Sequence, residues 1–315
     1  MSDPAAFVAG HRGLVGSAIV RALHESGLAP PIVRTRGELD LTDQAAVRRF
    51  FLAERPSMVF VAAATVGGIL ANNLRRWDFL FENLQIEVNV LGAALDAGVE
   101  RLVFFGSSCI YPKLAIQPIR EEYLLTGSLE ATNEPYAIAK IAGLKLVEAA
   151  NAQHGRAWVS LMPTNLYGPG DNFDLATSHV LPALIRKFHE AKHRRTASED
   201  PAAVVWGSGM VRREFLHVDD LAAAALRVAF SSATGLLNVG YGSDVTIGEL
   251  AAIVADVVGF DGRIDWDHSK PDGTPQKLLD STRILATGWR PTIALRDGIA
   301  QTYQWFLASG AGDKS

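Results

Sequence analysis

The sequence predicts a Rossmann-type, doubly wound parallel α/β sheet with a smaller C-terminal α/β lobe. Three observations predict it. A glycine-rich turn, Gly10-His11-Arg12-Gly13-Leu14-Val15-Gly16, joins a short apolar run to a helical pattern. Apolar runs then alternate with helical patterns through the first half of the chain, as a parallel sheet covered by helices requires. After Pro169 the composition changes, and short strands and helices mix without that alternation. The expected division is a nucleotide-binding part at 1–165, with 213–235 returning to it, and a second lobe at 166–212 and 236–315.

Composition narrows the function classes. A hydrophobic content of 48% describes a well-cored chain. The formal charge is -4 and no basic block is present, so neither nucleic acid nor an anionic membrane is expected as a partner. One cysteine excludes an intramolecular disulfide. There is no secretory pattern at the start and no bilayer-length apolar run, so a cytoplasmic protein is expected.

The elements follow in chain order. Ala5–Ala9 makes a buried strand, and Val15, Ile19 and Leu23 share one face of the next helix. Strand, G-x-x-G-x-x-G and helix form a dinucleotide-binding turn: glycines admit a pyrophosphate, and the helix N-terminus adds N–H donors. A second strand, Pro31-Ile32-Val33, runs into Arg34-Thr35-Arg36. An NAD site usually carries an acid near this point. Arg36 here, with Arg12 in the turn, suits a 2′-phosphate, so NADP(H) is the expected cofactor. Either arginine alone would equally suit a solvated surface. Asp40-Leu41 precedes a helix from about Thr42 to Arg55, and the Asp40 side chain could reach the adenine.

Ser57–Ala64 reads as a central strand, and Val66-Gly67-Gly68-Ile69 as a flexible turn beside the cofactor. A long helix spans about Trp77 to Gly98, and a strand follows at Arg101–Phe105. That strand breaks at Gly106 into Ser107, Ser108 and Cys109. Near Pro135 a helix begins that carries Tyr136 and Lys140, four residues apart and so on one face. A nearby ammonium lowers a tyrosine's pKa, which makes Tyr136 a candidate proton donor, with Ser107 holding a carbonyl oxygen against it. A lone Tyr-x-x-x-Lys also suits a buried tyrosine beside a surface lysine. After a strand at Ala157–Met162, Pro163-Thr164-Asn165-Leu166-Tyr167-Gly168-Pro169 closes at the edge that holds the glycine turn.

The second lobe carries helices at His179–Arg195 and after Asp220, and a short strand at Val204–Trp206. A charged surface loop covers Arg194–Pro201. Thr246-Ile247-Gly248-Glu249 has capping-box spacing, predicting a helix to about Val258. Lys270–Pro275 is a turn-rich loop, and a last helix covers about Leu295–Leu307.

In this order the motifs resemble the extended short-chain dehydrogenase/reductases that act on nucleotide sugars. Gly10, Gly13 and Gly16, Ser107, Tyr136 and Lys140, Asn165–Pro169 and Arg213–Asp220 match that pattern over nearly the whole chain. The resemblance is strongest to the branch that epimerises and reduces GDP-4-keto-6-deoxymannose. It rests on the Gly10–Gly16 turn, Gly106–Lys113, Asn133–Lys140, Met162–Asn165 and Ser269–Thr274.

The resemblance implies an NADPH-dependent enzyme that makes GDP-L-fucose from GDP-4-keto-6-deoxy-D-mannose, by epimerising carbons 3 and 5 and then reducing the carbon 4 ketone. It implies that the cofactor meets Gly10, His11, Arg12, Gly13, Leu14, Val15, Gly16, Arg36, Asp40 and Leu41. Further cofactor contacts are Phe105, Gly106, Ser107, Ser108, Lys140, Pro163, Thr164, Asn165, Leu166 and His179. Ser107, Tyr136 and Lys140 take hydride transfer, Lys140 lowering the Tyr136 pKa and holding the nicotinamide ribose. Cys109 and His179 take acid–base work. Lys187, Trp206, Arg213 and Asp272 lie near the GDP-sugar. The resemblance also implies a homodimer formed through the helices near 77–98 and 136–154, and no metal.

The chemistry suits these residue types. A ketone at carbon 4 acidifies the protons on carbons 3 and 5. Each epimerisation needs a base, an acid and a donor on the enolate oxygen. Cysteine and histidine both reach neutral pKa values through modest environmental shifts. Taken singly, Cys109 also suits a small buried apolar residue, His179 a helix cap, Lys187 and Arg213 surface charges, and Trp206 the core. A 4,6-dehydratase would carry an Asp-Glu pair where this chain has Ser108 and Cys109. A UDP-galactose-type 4-epimerase would keep NAD and leave Cys109 without a task. A non-catalytic NADP(H) sensor would need none of Ser107, Tyr136 and Lys140.

Overall fold

The computed structural model of the protein describes residues 5–194, 201–270 and 272–311. The expected loop at Arg194–Pro201 lies mostly outside them. Five parallel strands form the main sheet: β1 (Ala6–Ala9), β2 (Met58–Val61), β3 (Arg101–Phe105), β4 (Val159–Pro163) and β8 (Gly235–Val239), in the order β1-β2-β3-β4-β8. Their side chains alternate between two cores. Phe7, Val59, Val61 and Phe104 point to one face, and Val8, Phe60 and Val103 to the other. Burial on both faces explains why these strands read as continuous apolar runs.

The strand expected at Pro31–Val33 is reduced to one bridge, between Ile32 and Phe7. Proline lacks the N–H that a ladder needs, and Ile32 is left to exchange two bonds with Ala6 and Val8. The bridge still matters. It lies on the side of β1 away from β2, so the strand order reverses at β1 and opens a crevice at its C-terminal end.

Helices α1 (Leu14–Glu25), α2 (Gln44–Glu54), α4 (Arg76–Asp96) and α5 (Glu134–His154) follow their sequence signals, with a short α3 at Ile69–Leu74. Asp43 caps α2 by accepting from the Ala46 amide at 3.0 Å. Pro135 sits in the first turn of α5, and Gly155 ends it in a left-handed conformation. α4 and α5 pack side by side. No helix among the described residues is long and apolar enough to cross a membrane.

Past β4 the chain turns directly into β5 (Asn165–Tyr167) and then α6 (Val180–His193). The second lobe adds β6 (Ala202–Trp206), β7 (Arg212–His217), β9 (Asp244–Thr246), α8 (Ile247–Val258), β10 (Arg263–Asp267), β11 (Gln276–Lys277), a short α9 (Thr282–Leu285) and α10 (Leu295–Ala308). The Thr246–Glu249 capping box is present at the start of α8. Leu184, Ile185, Phe188, Leu250, Val254 and Phe306 make this lobe's core. Between them α7 (Val218–Ala229) packs on α1 and leads to β8, so the chain re-enters the main sheet after β7. β7 pairs with β5 and β11 and forms the seam between lobes.

Candidate active site

The glycine turn is built by close contact. Gly10 has φ +84°, and a Cβ there would meet the Ala63 backbone at 2.7 Å. A Cβ on Gly16 would lie 2.2 Å from the Gly10 carbonyl oxygen. The end of β1, the end of β2 and the start of α1 therefore touch through backbone alone. That leaves the N-terminus of α1 facing the crevice, a fit for a pyrophosphate. At the second rim Arg34 and Arg36 both line the crevice, Arg34 engaged by Glu54 at 2.5 Å and Arg36 lying 3.8 Å from Asp40. The Asp40 carboxylate is turned to Thr42, accepting from its amide at 2.9 Å and its hydroxyl at 2.8 Å. These bonds hold its pKa below the usual carboxylate value. Arginine rather than a free acid therefore fronts this rim, a fit for a 2′-phosphate.

β3 delivers the next group. Gly106 lies where a Cβ would meet the end of the Met162 side chain at 2.2 Å, so a larger residue there would require that side chain to shift. Ser107 then caps a single 3₁₀ turn at Ser108–Ile110 and accepts from the Cys109 amide at 3.3 Å. Cys109 is buried in a small cluster with Phe79, Tyr136 and Ala137. From α5 comes Lys140, with its ammonium 5.8 Å from the Tyr136 ring centroid and 4.9 Å from that of Phe104.

The expected lowering of the Tyr136 pKa by Lys140 is not what this arrangement gives. Burial raises the phenol well above its ordinary value, and the neighbouring Cys109 and Glu87 push it the same way. Glu87, on α4, adds to that rise after burial and Cys109. Its carboxylate lies 3.1 Å from the Lys140 ammonium, with both side chains almost fully buried. Its negative charge opposes the field of the cation at Tyr136. A charged residue at 87 among Ile86, Val90 and Leu91 was the one visible sign in the sequence of a buried ionic contact.

The second lobe contributes His179, the N-cap of α6. His179 is an exposed residue that lines the crevice, with the groups of the cleft wall close around its ring. That crowding, and then the Lys277 charge, lower its pKa from the ordinary 6.5. Burial raises the Cys109 thiol above its ordinary 9.0, with Lys277 opposing. At neutral pH the pair is therefore a thiol and a neutral imidazole. Lys277 lies close enough to act on both and was missed in the sequence. It arrives through the pairing of β11 with β7, which no local pattern announces.

Beyond His179 lies a basic, aromatic wall. The Lys187 ammonium donates to the Val204 carbonyl at 2.9 Å and stands 5.3 Å from the Trp206 ring, as does Lys270. Arg213 donates to the Asp272 carbonyl at 3.3 Å. The Asp272 carboxylate itself accepts from the Ser208 amide at 2.7 Å and hydroxyl at 2.8 Å, which leaves it shaping the 207–208 turn.

One cleft collects these residues. Its volume of ≈ 1580 Å³ exceeds the roughly 300–1,000 Å³ of a single small-ligand site, so two nucleotides fit together. Gly10, Gly13, Leu14, Val15, Arg36, Asp40, Leu41, Phe105–Cys109, Tyr136, Lys140, Pro163–Leu166, His179, Lys187, Trp206, Arg213 and Asp272 line it. Three predicted residues are not among its lining: Gly16 is buried beneath the turn, His11 is half-buried and Arg12 is exposed beside the rim. Among the described residues no group of three or more His, Cys, Asp or Glu could hold a metal ion.

The NAD dependent epimerase/dehydratase family model matches residues 6–240. The chain is 57% identical to GDP-L-fucose synthase 1 of Arabidopsis thaliana over 98% of its own length and 95% of that protein's. It is 55% identical to GDP-L-fucose synthase of Escherichia coli K12, over 98% of each. Among solved structures, a GDP-L-fucose synthetase from Naegleria fowleri bound to NADP superposes with a TM-score of 0.88 at 28% identity, covering 98% of this chain and 95% of that one. A GDP-6-OMe-4-keto-L-xylo-heptose reductase from C. jejuni gives 0.91 at 37% identity, over 98% and 99%.

Proposed function

The chain belongs to the NAD dependent epimerase/dehydratase family, and from that premise we propose that it is an NADPH-dependent epimerase–reductase converting GDP-4-keto-6-deoxy-D-mannose to GDP-L-fucose. One observation carries the reading: a single cleft is lined by the glycine turn, by Ser107, Tyr136 and Lys140, and by the Cys109–His179 pair. A plain ketone reductase has no use for that pair. A dehydratase needs a carboxylate after Ser107, and Ser108 and Cys109 stand there.

In this reading Ser107 and Tyr136 donate to the carbon 4 oxygen and stabilise the enolate formed when a flanking carbon loses its proton. Cys109 and His179, one thiol and one imidazole at rest, take and return protons at carbons 3 and 5. NADPH, when bound, supplies the hydride that reduces carbon 4. Tyr136 gives its proton to the oxygen in that step, and its raised pKa keeps the phenol protonated until then. Lys140 holds the nicotinamide ribose. Lys187, Trp206 and Arg213 hold the GDP end, the arginine on the diphosphate.

The proposal extends to organisation. The nucleotide-binding lobe is 1–165 with 213–235 returning, and β8 carries that return to Val239. We read the enzyme as a cytoplasmic homodimer, supported by one cysteine in the chain and by an exposed apolar stripe on α4 and α5. The test is incubation with NADPH and GDP-4-keto-6-deoxymannose, with the product sugar identified. A fucose-configured product supports the reading, and an unchanged sugar with no NADPH consumed rejects it.

A further inference from the structure

Glu87 lies in the middle of α4, 1% exposed, with Asn83 one turn before it and Leu91 one turn after. Both carboxylate oxygens are buried, and their charge is met by Lys140 of α5 at 3.1 Å. Gly143 makes the approach possible. A Cβ there would lie 2.6 Å from a Glu87 carboxylate oxygen and 2.5 Å from the Phe104 ring. Two helices thus meet through a notch cut for one acid. Burying an ion pair gives little net stability against an apolar alternative, so stability alone does not account for it.

We propose that Glu87 is a positioning residue for the reduction, anchoring the Lys140 ammonium beside Tyr136 through this buried pair. The inference rests on the assignment of Tyr136 and Lys140 to the reducing site. A lysine on a four-carbon stem has many rotamers, and the carboxylate selects one. It also gives the cation a counter-charge where water cannot. The charged and titratable groups around the ammonium are Glu87 from α4, Tyr136 from α5 and Cys109 from the 3₁₀ turn, with Lys277 beyond Cys109. Among the described residues only Glu87 places a carboxylate in contact with it. Desolvation raises the Glu87 pKa and the Lys140 charge opposes that, as a mutually dependent pair requires.

The experiment is Glu87→Gln, of equal size and without charge, beside the wild-type enzyme. NADPH oxidation with GDP-4-keto-6-deoxymannose is followed between about pH 6 and 10. NADPH affinity is titrated by fluorescence over the same range without sugar, and melting is checked first. With its counter-charge gone, the buried lysine loses its proton more readily. The expected result is kcat down at least about tenfold at pH 8, KM for the sugar within about threefold, and recovery at lower pH. The alkaline limbs of kcat and of NADPH affinity both move down by about one pH unit or more. A uniform loss across pH, or no loss, overturns the proposal. If Glu87→Gln does not fold, Glu87→Asp decides. It keeps the charge and should keep the wild-type limb while lowering kcat, and a limb that moves overturns the proposal. Should wild type fail to oxidise NADPH with this sugar, the functional reading fails, and the affinity titration still decides the role of Glu87.

Discussion

The Gly68 amide donates to the Thr177 carbonyl at 2.8 Å, tying a turn at the end of β2 to the loop that delivers His179 from the other lobe. Asn72 braces the turn by donating to the Gly67 and Gly68 carbonyls at 2.6 and 3.1 Å. A Cβ on Gly68 would meet the Ser178 carbonyl at 2.8 Å. Gly68→Ala should therefore push that loop away and cost about 1–3 kcal/mol. Proton exchange at carbons 3 and 5 should fall roughly tenfold or more, because a displacement of about 1 Å is costly at a reacting centre. Thermal melting and exchange into heavy water, followed by NMR, measure both. Unchanged exchange would show that His179 does not depend on this tie.

The cofactor rim makes a selectivity prediction. Arg36→Ala or Arg12→Ala should weaken NADPH by about 10–100-fold, the worth of one charge-assisted contact of roughly 1.5–3 kcal/mol. NADH, which lacks the 2′-phosphate, should lose far less. Fluorescence titration with each cofactor tests it. Equal losses would remove the arginines from the 2′-phosphate site.

Cys109 and Tyr136 should separate two half-reactions. Cys109→Ala keeps the fold, because one small buried side chain replaces another. Exchange at carbons 3 and 5 should drop by about 10²–10⁴-fold, the usual worth of a general acid or base. Slow reduction of un-epimerised ketone should survive on Ser107, Tyr136 and Lys140. Tyr136→Phe should lose reduction and keep some exchange, measured without NADPH. Normal exchange in Cys109→Ala would return Cys109 to a packing role.

The pH dependence of exchange follows from the two shifted groups. His179 is lowered from 6.5 by burial and then by Lys277, so its base form persists to more acid pH than an ordinary histidine's. Cys109 is raised from 9.0 by burial, so its acid form persists to more alkaline pH. Activity should be lost as pH falls through a point below 6.5, and again as it rises through a point above 9.0. Exchange rates across pH, in wild type and His179→Gln, test this. An acid limb at or above 6.5, or one that survives in His179→Gln, contradicts the assignment.

Dimerisation is predicted on the exposed stripe of α4 and α5. Trp77 is 71% exposed and stacks on Phe81 at 5.2 Å, with Val88, Ile138 and Leu146 also exposed. Apolar patches of this kind mark interaction sites. Light scattering should give twice the chain mass of 33.9 kDa. Trp77→Glu combined with Phe81→Glu should shift the species to the single-chain mass while leaving NADPH binding intact. A wild-type monomer would end the homodimer reading.

Several features were legible because they depend on neighbours along the chain. The β1–turn–α1 unit, the Thr246–Glu249 capping box and the common face of Tyr136 and Lys140 are set by spacings of one to four residues, which a helix or strand converts directly into geometry. The two-faced burial of the main sheet was visible as continuous apolar runs. The apolar run Pro31–Val33 suggests a strand but forms a single bridge, because its proline offers no donor to a ladder.

By itself, then, the sequence determined the fold class, the glycine turn and the reactive side chains at the end of β3 and the start of α5. Only the tertiary structure decided what charge those side chains feel. The packing of α4 on α5 put Glu87 on Lys140, and the pairing of β11 with β7 brought Lys277 to Cys109 and His179. Burial then raised Tyr136 where the isolated Tyr–Lys spacing predicted a lowering. Coulomb and desolvation effects act through space between residues distant in the chain, so they are set by which elements pack together and not by local spacing.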